Sequence, residues 1–124
     1  MQLQGFTLSF SVGAGQEYVR LRAASDTFIL DLGARKHNFL LLTLAKQRLI
    51  DTAEGFAETT CGWIYVEDLE HDPSMAPERL NVDVFRLRRH FESRGVVDGV
   101  NVIERRASSR QIRIGTGRLK IDSL

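Results

Sequence analysis

Residues 80–91 read Leu80-Asn81-Val82-Asp83-Val84-Phe85-Arg86-Leu87-Arg88-Arg89-His90-Phe91, and their pattern decides how the rest of the chain is read. At the helical period Leu80, Val84, Leu87 and Phe91 fall on one stripe, the spacing of a buried face. Val82, Arg86, Arg89 and Ser93 fall opposite, with Asn81 and Arg88 on a flank. Such a helix has an apolar side to dock and a basic side to present. Guanidinium groups serve both base edges and phosphates, so the pattern suits a helix that lies in a DNA major groove. It also describes a surface helix whose arginines are merely solvated.

Working outward, Pro77 fits the first turn of this helix, where a missing N–H costs nothing. Arg94-Gly95 marks its end. Upstream, residues 66–71 predict a short second helix stopped at Asp72-Pro73, because proline disfavours helical geometry in the residue before it. Two helices with a short connection make a helix-turn-helix arrangement. Trp63, just before them, is expected to anchor the second helix from the core or its rim. Further upstream, Phe39, Leu40, Leu41, Leu42, Leu44, Ala45, Leu49 and Ile50 predict a first helix over about residues 36–51. It is apolar on more than one side and needs cover from a sheet and from other helices. Residues 52–62 read equally as a loop or as a frayed helical extension.

Before the helices the period changes to two. Phe6, Leu8, Phe10 and Val12 alternate with polar neighbours, as do Val19 and Leu21, and then Phe28, Leu30 and Leu32 up to Gly33. Three short antiparallel strands are expected, the first two joined by a turn at Gly13-Ala14-Gly15. After the helices, residues 102–106 and 111–114 flank a polar loop at 107–110 and predict a hairpin, with Leu119 and Ile121 completing an apolar edge.

The 80–91 stretch resembles the recognition-helix signature of the OmpR/PhoB-type winged-helix effector domain, V-D-V-H-I-S-R-L-R-R-K-L, without a gap. Arg86, Leu87, Arg88 and Arg89 fall on its R-L-R-R block. Residues 32–44, L-G-A-R-K-H-N-F-L-L-L-T-L, are similar to the opening helix L-G-G-P-K-Q-R-A-L-L-A-L-L of the antibiotic-regulator (SARP) branch. The resemblance implies an α+β fold: a winged helix-turn-helix with an N-terminal antiparallel sheet, three helices and a C-terminal β-hairpin wing. The whole chain would be one domain, with residues 1–33 as sheet, 34–95 as helical core and 96–124 as wing hairpin. It further implies sequence-specific binding of double-stranded DNA in bacterial transcriptional regulation. On the matching positions Val82 would meet a thymine methyl, Arg86 would read bases and Arg88 would hold a phosphate. Asn81, Phe85 and Arg89 would complete the DNA-binding set on the helix, and Arg105, Arg106 and Arg110 would sit in the wing.

Two positions depart from the family pattern. Asp83 stands where histidine is usual, and Phe85 where a polar residue is. A carboxylate is repelled by phosphates, and an exposed phenylalanine suits an apolar partner. Phe85 reads equally as packed against the wing or the Trp63 segment. Hence the alternative reading, a winged helix kept as a protein-interaction adaptor that binds through an Asp83/Phe85 face and not to DNA.

The totals set bounds. At 124 residues the chain holds one core. The net charge of +1 does not mark a nucleic-acid binder, but its distribution is uneven. All formal charges between residues 51 and 72 are acidic, and all those between 105 and 120 are basic, which predicts a bipolar surface. Cys61 is the only cysteine, so no disulfide framework exists and a small buried hydrophobe is expected. His37, His71 and His90 make no metal spacing, and the acids at 67–72 lack the pattern of a calcium loop. No nucleophile–base set, paired catalytic carboxylates or cofactor fingerprint appears, so neither an enzyme nor a cofactor is expected. No signal peptide or membrane span is evident, which predicts a cytoplasmic chain, with room for a homodimer.

Overall fold

The computed structural model describes residues 1–15, 18–72 and 75–123, the last without its side chain. The fold is α+β, with two sheets and three α-helices among the described residues. β1 (Thr7–Val12), β2 (Val19–Ala24) and β3 (Ile29–Ala34) form the expected antiparallel meander. In β1 and β2 the predicted alternation is realised, with Leu8, Phe10 and Leu21 fully buried. The N–H of Gly13 donates to the carbonyl of Tyr18 and closes the first turn.

The third strand departs from expectation. It runs through Gly33 to Ala34, and a register shift opposite Leu21 and Arg22 accommodates Leu32, which is buried. Phe28 lies ahead of the strand and largely exposed, its ring edge-on to Phe6 at 5.9 Å.

α1 (Asn38–Ala53) is displaced by two residues from the predicted span. Asn38, fully buried in its first turn, donates from Nδ2 to the carbonyls of Val19 and Gly33, both at 2.9 Å. That pair of bonds fixes the helix to the sheet. Leu40, Leu41, Leu42, Leu44 and Ala45 are buried, as the all-round apolar pattern requires.

Of residues 52–62 the first two extend α1, which stops at Ala53, and residues 54–62 are a loop. Asp51 holds it: Oδ2 accepts from the N–H of Gly62 at 2.8 Å, and Oδ1 accepts from Gln47. Cys61 is buried, as expected. A two-residue strand, β4 (Ile64–Tyr65), and a one-turn α2 (Val66–Leu69) follow, the helix shorter than predicted. Pro73, the expected stop, lies outside the described residues.

α3 (Pro77–Ser93) begins on its proline and ends before Gly95, whose φ of +92° suits glycine. A 3₁₀ turn (Gly99–Val102) then lies against it so closely that a Cβ on Gly99 would meet the Phe91 Cβ at 2.9 Å. β5 (Ile103–Arg106) and β6 (Gln111–Ile114) form the predicted hairpin, and β4 adds to β6 to make a three-stranded sheet.

β7 (Leu119–Ser123) corrects the expected architecture. It leaves the hairpin and pairs parallel to β1, Leu8 opposite Leu119 and Phe10 opposite Ile121. The N-terminal sheet therefore has four strands, ordered β3-β2-β1-β7, and the hairpin proper ends near residue 114. The alternation of Leu119 and Ile121 marked a strand, but no local signal says which strand accepts it.

Candidate nucleic-acid interface

Leu80, Val84, Leu87 and Phe91 are all buried, so α3 docks by the predicted stripe. Its free side carries Val82, Phe85, Arg86 and Arg89, all exposed, with Phe85 at 63%. The guanidinium of Arg89 lies 5.9 Å from the Phe85 ring. Phe85 thus packs against neither the hairpin nor the Trp63 segment.

Asp83 is not on this face. It is 5% exposed, turned toward α1, with Arg79 Nε 3.6 Å from Oδ2 and no partner for Oδ1. Residues two apart on a helix point to nearly opposite sides, so Asp83 and Phe85 form no common surface. Burial pushes the Asp83 carboxyl above its ordinary pKa, against the pull of Arg79 and Arg86. The expected repulsion between this carboxylate and phosphates, and the expected Asp83/Phe85 docking face, are both overturned.

Arg88 is turned partly toward the hairpin. Its Nε donates to the carbonyl of Val100 at 3.0 Å and its Nη2 to that of Ile103 at 2.8 Å. A planar guanidinium with two bonds inward is a strut between α3 and β5, with less left to offer a phosphate. The resemblance matched its position on the helix but not the hairpin beside it.

The hairpin arginines are each held by a neighbour. Arg105 Nη2 donates to Asn81 Oδ1 at 3.3 Å, which draws Asn81 toward the hairpin. Arg106 lies 4.0 Å above the Trp63 ring and donates to the carbonyl of Thr59. Arg110, at φ 54° in the loop, is 4.0 Å from Glu70, and its carbonyl accepts from the N–H of Val66. A groove of about 350 Å³ between the start of α3 and the hairpin is lined by Asn81, Arg105, Arg106 and Arg110, with Pro77 and Leu80 as its apolar side.

Comparison of the chain with protein-family models, with curated proteins and with solved structures gives no match in any of the three.

Trp63 was expected to anchor the second helix, but it serves the hairpin. Arg106 and Arg113 stack on its ring, and its Nε1 donates to the carbonyl of Thr59. Arg113 is itself buried. Nη1 donates to the carbonyls of Glu58 and Cys61, and Nη2 pairs with Glu104 at 3.3 Å. Asp51 and Arg113 are therefore structural, and the two charged poles are weaker than the sequence runs imply.

Residues outside the predicted set join the basic face. Arg35, His37, His90 and Ser93 lie beside Phe85, Arg86 and Arg89. The run Arg35-Lys36-His37 was visible in sequence, but only the fold brings it to the far half of α3. Among the described residues no group of three or more His, Cys, Asp or Glu converges on a metal position, and no helix is long and apolar enough to cross a membrane.

Proposed function

We propose that this chain is a winged-helix domain that binds double-stranded DNA sequence-specifically in bacterial transcriptional regulation, acting in the cytoplasm. α3 enters the major groove and the β5–β6 hairpin is the wing on the backbone. The observation that carries this reading is the join between helix and hairpin. Arg105 bonds to Asn81, and Arg88 bonds back to Val100 and Ile103, so the exposed side of α3 and the hairpin form one surface. Arg86 and Arg89 stand on the helix part of it, Arg105, Arg106 and Arg110 on the hairpin part. Base edges fall to Arg86 and, through a thymine methyl, to Val82; phosphates fall to the hairpin arginines.

The test is retention of duplexes from a random-sequence pool at low salt, followed by two variants. Arg86→Ala is expected to lose ~1–3 kcal/mol of discrimination between sites. Arg105→Ala weakens binding to all sequences alike and lowers the salt slope by about 1. A wild-type chain that retains no duplex refutes the proposal.

One observation favours a protein partner instead. Phe85 at 63% and Val82 at 41% exposure make an apolar spot in the middle of the basic face. This adaptor reading takes over if no duplex is retained and a protein captured from nuclease-treated lysate is lost with Phe85→Ala.

A further inference from the structure

The connection between β3 and α1 faces the last turns of α3 across a cleft of about 390 Å³. Arg35, Arg86 and Arg89 line it together with His37, His90 and Ser93, and Phe85 forms its apolar wall. No carboxylate is among these described lining residues. The two imidazoles meet edge to face, centroids 5.7 Å apart, and Nε2 of His37 is buried without a hydrogen-bond partner. Arg94 stands close by, committed through Nη1 to the carbonyl of Asp31.

We propose that this cleft is an anion site that holds a backbone phosphate of the bound duplex and takes up protons through His37 and His90 as it does so. The site rests on the DNA-binding reading, to which it adds a contact from outside both α3 and the hairpin. Arg35 is the residue that makes it a cradle, because it reaches the phosphate from the side opposite Arg89. Arg86 stands at the border, between the cradle and the groove-facing side of the helix.

The electrostatics of the free chain agree. His37 is held down to about 4, first by burial and then by His90, Arg35 and Arg86. His90 is also lowered, by burial and then by Arg35 and Arg94. Every charge that shifts either ring comes from a cation or from the other histidine, so the cleft is a region of positive potential that repels protons and attracts anions. A phosphodiester placed there offsets the arginines and favours the charged imidazoles. Each imidazolium then offers N–H donors at both ring nitrogens. The sign follows: the bound state holds more protons than the free state, so duplex affinity rises as pH falls through the histidine range.

The experiment measures affinity for a retained duplex by fluorescence anisotropy at about pH 6 and pH 8 over a range of salt. Wild type is expected to bind about fourfold more tightly at the lower pH, which follows if the phosphate brings His37 from about 4 back to the ordinary histidine value of ~6.5. The double variant His37→Gln/His90→Gln loses that difference, while His71→Gln, exposed and away from the cleft, keeps it. Arg35→Ala lowers the salt slope by about 1 and leaves sequence preference intact. Calorimetry of the wild type in buffers of different ionisation enthalpy reads the proton uptake directly and needs no variant. A binding reaction that takes up no protons, or an Arg35→Ala chain with unchanged affinity and slope, overturns the cradle alone. Failure of the wild type to bind any duplex at either pH overturns the cradle together with the DNA-binding reading.

Discussion

Arg88 on α3 donates to the backbone carbonyl of Ile103 at 2.8 Å, across the seam between the basic helix and the first strand of the hairpin. Its second bond, to Val100, pins the 3₁₀ turn that precedes that strand. Arg88→Ala is therefore expected to act on stability: it leaves two carbonyls unpartnered and costs ~1–3 kcal/mol. Arg88→Lys recovers little, because an ammonium cannot span both acceptors in the fixed fork of a guanidinium. Urea titration of the three chains checks this. A variant with wild-type stability and weakened DNA binding would return Arg88 to the role of a phosphate ligand.

Asp83 links stability to pH with a definite sign. Its carboxyl is raised above the ordinary value by burial, so over the window between the unfolded and folded values the folded chain holds the extra proton. This contribution is present below the unfolded value, about 3.9, and is lost as pH rises through the folded one. Asp83→Asn keeps the shape, removes the buried charge and is expected to be neutral or stabilising near pH 7. Denaturant midpoints at about pH 4.5 and pH 7 should differ less in the variant than in the wild type; a larger difference in the variant contradicts the burial argument.

Trp63 is the only tryptophan of the chain, so its emission reports one place, the stack under Arg106 and Arg113. Arg106→Ala removes the nearer of the two guanidinium groups from the indole and leaves Arg113 against it. A moderate red shift and easier acrylamide quenching are expected, with the far-ultraviolet circular dichroism unchanged and a stability loss of ~0.5–1 kcal/mol. Emission identical to wild type would mean that Arg106 does not rest on the ring.

Periodicity carried most of the fold. The stripe Leu80, Val84, Leu87, Phe91 and the alternations Leu8, Phe10 and Val19, Leu21 are direct consequences of where side chains point on a helix and on a strand. What escaped lay in contacts between distant segments. Asp83 sits on the flank that the helical wheel leaves undecided, and only the approach of α1 buries it. Arg88 looks free on the wheel until β5 arrives beside it. Phe28 continues an alternation whose next strand begins one residue later. The cleft at Arg35 and His37 joins two segments about 50 residues apart, with no shared pattern to announce them.

The parallel pairing of β7 with β1 also bears on the order of events in folding. Leu8 and Leu119 are partners about 110 residues apart, whereas β1, β2 and β3 are linked by short turns. The meander can assemble quickly, but its open side has no partner until the helices and the hairpin have placed β7. Loop closure on that scale is slow, and such long-range pairings raise the contact order that governs folding rate. Docking of β7 should therefore be the late step in refolding. Until then the unsatisfied amides and carbonyls of β1 are open to another chain, which makes concentrated refolding the condition under which this protein is most apt to aggregate.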